Sequence, residues 1–265
     1  MRYNSDDIML FISIRLINLN ELMKKSLLTS LFILPLICGC TPSSEDIAGK
    51  ADANTTRQEE IGPALGSTRE VPELLDASTE RCIRNYGATI KRYAGRYGLD
   101  WRLVLAIMKQ ESGFSRRAES HKGAGGLMQL MPVTGEELAR NLELEDISHP
   151  EQNIQAGIFY LRKLYDLFEG SGEADRLKLT LAAYNAGLSR IIDAQELASY
   201  LHARPAEWEG VKDALPLLSK RFYTLHRSVW GQDRPKSGWF GNAGQTLKYV
   251  DSVMDYYDDF RLALN

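Results

Sequence analysis

The sequence predicts a mainly α-helical domain with one glycine-rich loop or β-hairpin set beside a helix. Three observations carry that expectation. Apolar residues recur at helical spacing through most of the chain after residue 77, caps and prolines punctuate those stripes, and strand signal is confined to Ser120–Gln129. With 265 residues and no internal repeat, the chain has room for one medium domain and extensions.

The helices follow in order. Ile83, Tyr86, Ile90, Tyr93 and Tyr97 form a first stripe that ends at Gly98. Asp100 is placed as the cap of a second helix carrying Leu103, Val104, Ile107 and Met108. After the glycine-rich Gly123–Gly126, Thr134-Gly135-Glu136-Glu137 has capping-box spacing and predicts a short helix through Leu142. Pro150 opens another, with Ile154, Ile158, Leu161, Leu164 and Phe168 on one face. A strongly apolar helix is expected over Arg176–Tyr184, ended by Asn185-Ala186-Gly187. The last follows Gly244 and turns Leu247, Val250, Met254 and Tyr257 inward.

Ahead of this domain, assigned to residues 77–265, the chain changes character. Residues 1–22 include Asp6, Asp7 and Glu21 and read as an extension upstream of a start at Met23. Residues 23–39 have the form of a secretory signal: Lys24 and Lys25, an apolar run from Leu27 to Ile37 too short to span a bilayer, then small residues. Its ending, Ile37-Cys38-Gly39-Cys40, resembles a bacterial lipoprotein box, which implies acylation of Cys40 as a membrane anchor. Thr41, in place of the aspartate associated with inner-membrane retention, points to the outer membrane and a periplasmic domain. Residues 40–76 are polar, lack aromatics and read as a flexible tether.

Composition excludes some classes. Formal charge is -3, and no dense Lys/Arg run stands beside stacking aromatics, so nucleic acid is not an expected partner. Cys82 is the single cysteine of the domain, and His121, His149, His202 and His226 are scattered. No cofactor or metal pattern is expected.

Glu111 is the anomalous residue. It falls on the apolar stripe of the second helix, four positions past Ile107 and three past Met108. An acid pointed inward loses solvation and holds its proton toward neutral pH, which is what a general acid requires. On the helix alone, the alternative is a frayed end before Gly113 with Glu111 in solvent.

The residues that follow favour the first reading. Glu111-Ser112-Gly113-Phe114 leads to Ser120, then to Gly123-Ala124-Gly125-Gly126-Leu127-Met128-Gln129-Leu130-Met131-Pro132, to Ala182-Ala183-Tyr184-Asn185-Ala186-Gly187 and to Tyr249-Val250. This ordered set resembles the family 1 lytic transglycosylases over roughly residues 85–260. The resemblance implies a goose-type lysozyme-like fold and cleavage of the β-1,4 bond between N-acetylmuramic acid and N-acetylglucosamine in peptidoglycan glycan strands. It further implies that Glu111 acts first as acid and then as base, so that the muramoyl C6 hydroxyl closes on C1 and leaves a 1,6-anhydro end. In the membrane-bound branch to which the fuller pattern is similar, a binding-protein-like domain precedes the catalytic one; here the tether stands in that place. His121 and Gln245 depart from the usual proline and glutamate of the family.

By the same resemblance, Ser112, Ser120, Gly126, Met128, Gln129, Met131, Tyr184, Asn185 and Tyr249 are carried over as substrate-binding residues. Each has a plainer alternative: core packing for Met128 and Met131, packing on Trp208 or Tyr256 for Tyr249, and helix ends for Ser112 and Asn185. Two other functions stay open at this point: a goose-type hydrolase that uses water, and a non-catalytic peptidoglycan-binding lipoprotein.

Overall fold

A computed structural model describes residues 75–264. The upstream extension, the signal sequence, Cys40 and the tether up to residue 74 lie outside the described residues. Nine helices are present among the described residues: α1 (Ala77–Arg96), α2 (Trp101–Ser112), α3 (Pro132–Leu142), α4 (Pro150–Asp166), α5 (Glu173–Ala186), α6 (Leu188–Tyr200), α7 (Trp208–Ala214), α8 (Tyr223–Trp230) and α9 (Ala243–Ala263). Short 3-10 turns at Leu215–Leu218 and Lys220–Phe222 link α7 to α8. The mainly α class is as expected, and none of these helices is long and apolar enough to cross a membrane.

Helix α2 is the centre of the packing. Leu103 to Met108 are all buried, so its middle is enclosed on every side rather than along one stripe. Its long neighbour α9 lies along it and along α5, while α1 packs on α2 and α4. Asp100 caps α2 by accepting from the Arg102 N–H at 2.9 Å, and it also takes the Tyr257 hydroxyl of α9 at 3.0 Å. Lys109 reaches Asp76, the cap of α1, at 2.6 Å and lies over the rings of Tyr256 and Phe260. The helix that carries Glu111 is thereby tied at both ends to α9.

Several expectations shift in register. Helix α3 begins at Pro132, not at Thr134, because proline's fixed φ and missing N–H suit a first helical position; no side-chain cap is formed. Helix α5 starts at Glu173, three residues before Arg176, with Glu173 and Asp175 favourable at its positive end. In α1 the buried face carries Thr79, Cys82, Gly87, Ile90 and Ala94, and in α9 it carries Thr246, Tyr249, Val250, Val253, Tyr257 and Phe260. The tyrosines of α1 are only half-buried, since an aromatic body can pack while its hydroxyl stays wet. The glycine-rich segment is a loop closed by two isolated bridges, Glu119 to Gly125 and Gly125 to Leu130, not a continued hairpin.

Candidate active site

Glu111 lies in the last turn of helix α2, two residues before Gly113 stops the helix in the left-handed region at φ 55°. Its side chain is half-buried, and Oε1 accepts the Tyr249 hydroxyl of α9 at 2.7 Å. Burial pushes the Glu111 carboxyl up to about 7, while the Tyr249 bond opposes the shift by favouring the ionised form. Burial alone raises it, without like-charge repulsion from a second acid. The Tyr249 and Tyr184 hydroxyls are both held well above the usual phenol range, first by burial and then by the negative charge of Glu111. They remain neutral donors at any working pH.

The raised carboxyl makes stability depend on pH. An ordinary glutamate, as in the unfolded chain, titrates near 4.5, whereas folded Glu111 keeps its proton to about 7. Below the lower value both states are protonated and the carboxyl costs nothing. As pH rises between the two, unfolding releases a proton and stability falls, reaching a loss of about 3 kcal/mol above the folded value. Glu111→Gln is therefore expected to match wild type in urea denaturation at pH 4 and to exceed it by roughly that amount at pH 8. An offset that is the same at both pH values would contradict this.

The loop below Glu111 is built from backbone bonds and three side chains. Ser112 Oγ donates to the Leu127 carbonyl or to Met108 one turn back, both at 3.0 Å, joining the end of α2 to the loop. Ser120 Oγ accepts from the Ala124 N–H at 3.0 Å, and the Gln129 amide donates to the Ala118 and Gly126 carbonyls at 2.9 and 3.0 Å. Ser120 and the Gln129 amide are thus engaged in shaping the loop. Gly126 is required where it stands: its φ is 79°, and a Cβ there would come within 2.5–2.8 Å of the Asn153 side chain.

Met128 is a correction. Its side chain is 0% exposed and fills the space over Gly157, where a Cβ would meet it at 2.7–2.9 Å, so it is core and offers no surface to a glycan. The Met128 backbone still matters, because its carbonyl accepts the Tyr184 hydroxyl at 2.8 Å. Met131, 42% exposed at the start of α3, keeps a free side chain. Tyr184 also packs on Tyr160, ring centroids 5.5 Å apart. Asn185 is exposed, and its Oδ1 accepts from Thr246 Oγ1 at 2.8 Å. Thr246 precedes Tyr249 by three positions on the inner face of α9, which places Asn185 one helical turn from the partner of Glu111.

Two residues at the site were not singled out from the sequence. Asn153 is buried on α4; its Oδ1 accepts from the Met128 N–H at 2.8 Å, and its amide donates to the Gly125 and Ile147 carbonyls at 3.2 and 3.3 Å. A polar residue beside Ile154 on an otherwise apolar stripe was the available signal. Thr246 is the other, and nothing in its sequence context marks it. Among the described residues no group of three or more His, Cys, Asp or Glu side chains is placed to share a metal ion.

The transglycosylase SLT domain profile matches residues 88–204, which include Glu111, the loop, Asn153 and Tyr184 but not Tyr249. The protein called membrane-bound lytic murein transglycosylase F in Desulfosudis oleivorans is 38% identical over 170 residues, 64% of this chain and 35% of the relative. Its namesake in Shewanella halifaxensis is 36% identical over 177 residues, 66% of this chain and 34% of the relative. The chain thus spans about a third of the length of the curated relatives it matches. Among solved structures, an inactive mutant of lytic transglycosylase Slt from Pseudomonas aeruginosa aligns over 67% of this chain and 24% of that one, at 27% identity and a TM-score of 0.49. Residues 88–204 are thus similar to the transglycosylase SLT domain.

Proposed function

We propose that this protein is a peptidoglycan lytic transglycosylase, a carbon-oxygen lyase that cleaves the β-1,4 bond after N-acetylmuramic acid and leaves 1,6-anhydro ends in cell-wall remodelling. The observation that carries the reading is Glu111, a lone acid raised by burial to about 7 within a matched SLT domain. At neutral pH a substantial fraction of Glu111 is protonated, so it can donate to the glycosidic oxygen as the bond to C1 breaks. The carboxylate left behind is stabilised by the Tyr249 hydroxyl on Oε1. It then accepts the proton of the muramoyl C6 hydroxyl while that oxygen bonds to C1. The nucleophile belongs to the substrate, which gives it a high effective concentration and removes the need for a second carboxylate to activate water.

In this reading Gly126, Ser112, Ser120 and Gln129 shape the loop against which the sugar lies, while Met131, Tyr184 and Asn185 border the cleft. The relatives are named membrane-bound, and in this reading the lipoprotein-like run ending at Cys40 and followed by Thr41 makes the protein a lipid-anchored enzyme of the outer membrane, facing the periplasm. Mass spectrometry of digested sacculi tests the activity. Anhydromuramoyl products, each lighter by one water than the hydrolytic product, are expected with no new reducing ends. Reducing ends would assign a goose-type hydrolase instead, and equal digests from wild type and Glu111→Gln would leave only a binding protein.

The Tyr249 bond has its own expected result. Tyr249→Phe removes a donor that favours ionised Glu111, so the alkaline limb of the kcat/KM profile should move upward from about 7, by under about one unit. kcat should fall about tenfold, since the carboxylate of the second step loses its hydrogen bond. A downward shift would show that Tyr249 acts otherwise.

A further inference from the structure

Charge is unevenly spread over this protein, and helix α1 holds the largest basic excess of its helices. Arg81, Arg84, Lys91, Arg92 and Arg96 stand on α1 against a single acid, Glu80, in a chain whose formal charge is -3. All five cations are exposed. At 3.6 residues per turn they fall within an arc of roughly 140°, on the side of α1 away from the buried Cys82, Ile90 and Ala94. Only Arg84 is in an ion pair among the described residues, with Glu80 at 3.4 Å. Lys91 lies over the Trp101 ring at 4.3 Å, and Arg92 and Arg96 lie over Tyr93 at 4.7 and 5.4 Å. An aromatic face orders the stem of a cation without cancelling its charge.

Other helices do not share this character. Helix α4 mixes signs as a solvated face does, with Arg162 on Asp166 and Lys163 reaching Glu137. Helix α9 has the opposite sign: Asp251, Asp255, Asp258 and Asp259 are exposed, and Lys248 and Arg261 are its only cations. An anionic surface therefore attracts the domain by α1 and repels it by α9. The kind of surface follows from where α1 joins the rest of the chain. The described residues begin at Leu75, two positions before α1, and residues 40–74 make 35 positions between Cys40 and that point. A flexible chain of that length spans roughly 30 Å, and α1 with its 20 residues is itself about 30 Å long. A lipid on Cys40 thus keeps the basic face within reach of its bilayer without pressing it there, and attraction to the headgroups has to supply the contact.

We infer that the basic face of α1 docks the domain on anionic phospholipid headgroups, so that it lies against the membrane that anchors it. The inference rests on the lipid-anchored part of the proposed reading. Arg81, Lys91, Arg92 and Arg96 meet the phosphates, and the half-buried Tyr93 and Trp101 beside them suit the boundary between water and lipid.

The test uses the full lipidated chain in vesicles of phosphatidylcholine, with or without phosphatidylglycerol, that contain a rhodamine lipid. A fluorophore is attached at Asn85→Cys on the basic face or at Asp259→Cys on α9; Cys82 is buried and does not label. Energy transfer to the rhodamine is expected to rise at position 85 when phosphatidylglycerol is added and to stay lower at position 259. It should return to the neutral-vesicle level at about 0.5 M salt, where charges are screened within about 4 Å. The triple variant Arg81→Glu, Arg92→Glu, Arg96→Glu should lower the docked-to-free ratio by about 100-fold. Its three sites are exposed, so its helical content by circular dichroism should match wild type. Lysine at the same three positions should preserve docking. Transfer that ignores phosphatidylglycerol, or that survives the glutamate substitutions, overturns the inference. Unchanged transfer together with weaker retention of the glutamate variant on isolated sacculi also overturns it, and assigns the face to an anionic wall polymer. Mass spectrometry of Cys40 is read separately. A chain without acyl groups removes the lipid anchor, and flotation of that chain with phosphatidylglycerol vesicles but not with neutral ones, lost in the glutamate variant, still judges the face.

Discussion

Glu111→Gln is expected to lower release of anhydromuramoyl products by about 10³-fold or more while the fold persists. Glutamine keeps the size of the side chain and can still accept from the Tyr249 hydroxyl, so the contact at 2.7 Å has no steric reason to break. What it loses is the proton to give and the carboxylate to take one back, and the proposed reaction uses Glu111 for both transfers. A 10³-fold loss corresponds to about 4 kcal/mol of transition-state stabilisation, well above the effect of one neutral hydrogen bond. Product counting on isolated sacculi, with circular dichroism to show an unchanged helical content, checks it. Retention of more than a tenth of the activity would mean that another group supplies the proton, and the assignment of Glu111 would fall. The same substitution's expected gain in stability at pH 8 gives an independent view: the site that makes the acid reactive also strains the fold.

Asn153→Ala should have the second largest effect, and it should act on stability first. The side chain of Asn153 is 2% exposed and makes three hydrogen bonds, two of which join α4 to the glycine-rich loop while the third goes to the Ile147 carbonyl. Its removal leaves the buried Met128 N–H without an acceptor and opens space under Gly126. An expected cost of about 3 kcal/mol follows from an orphaned buried donor together with a small void. For a domain of this size that lowers Tm by about 6–12 °C in a calorimetric scan. Activity should fall beyond the loss of folded protein, because the Met128 carbonyl that receives the Tyr184 hydroxyl moves with the loop. Asn153→Asp is expected to fare no better: it can accept from Met128 but cannot donate to the two carbonyls, and it buries a charge. A Tm within about 2 °C of wild type would show that the backbone bonds at Gly125 and Gly126 hold the loop unaided.

Local rules read well where one residue decides the outcome. Asp100 caps α2 and Pro150 opens α4 as their side-chain chemistry requires, and Gly113 and Gly187 stop helices where positive φ is needed. Glu111 was conspicuous because a carboxylate breaks an apolar period, a signal that needs no knowledge of the partner. Asn153 broke a period in the same manner beside Ile154 and drew no notice, because an amide in a stripe is a weaker anomaly than a charge. Helix α6 and the segment through α8 were hard to read for a different reason. Their apolar residues, such as Leu197, Trp208, Val211 and Leu215, are spread over short elements whose facing surfaces are set by one another.

The sequence by itself determined the helical class, the main caps, the inward acid and the family that the domain resembles, since each is carried by residue type at a fixed spacing along the chain. Only the tertiary structure decided which groups meet. It drew Tyr249 to Glu111 across 138 positions, and it turned Met128 into core and left its backbone to Tyr184. Contacts of that kind depend on how α9, α5 and the loop pack on α2, and packing is a property of facing surfaces that no local period along one strand of sequence encodes.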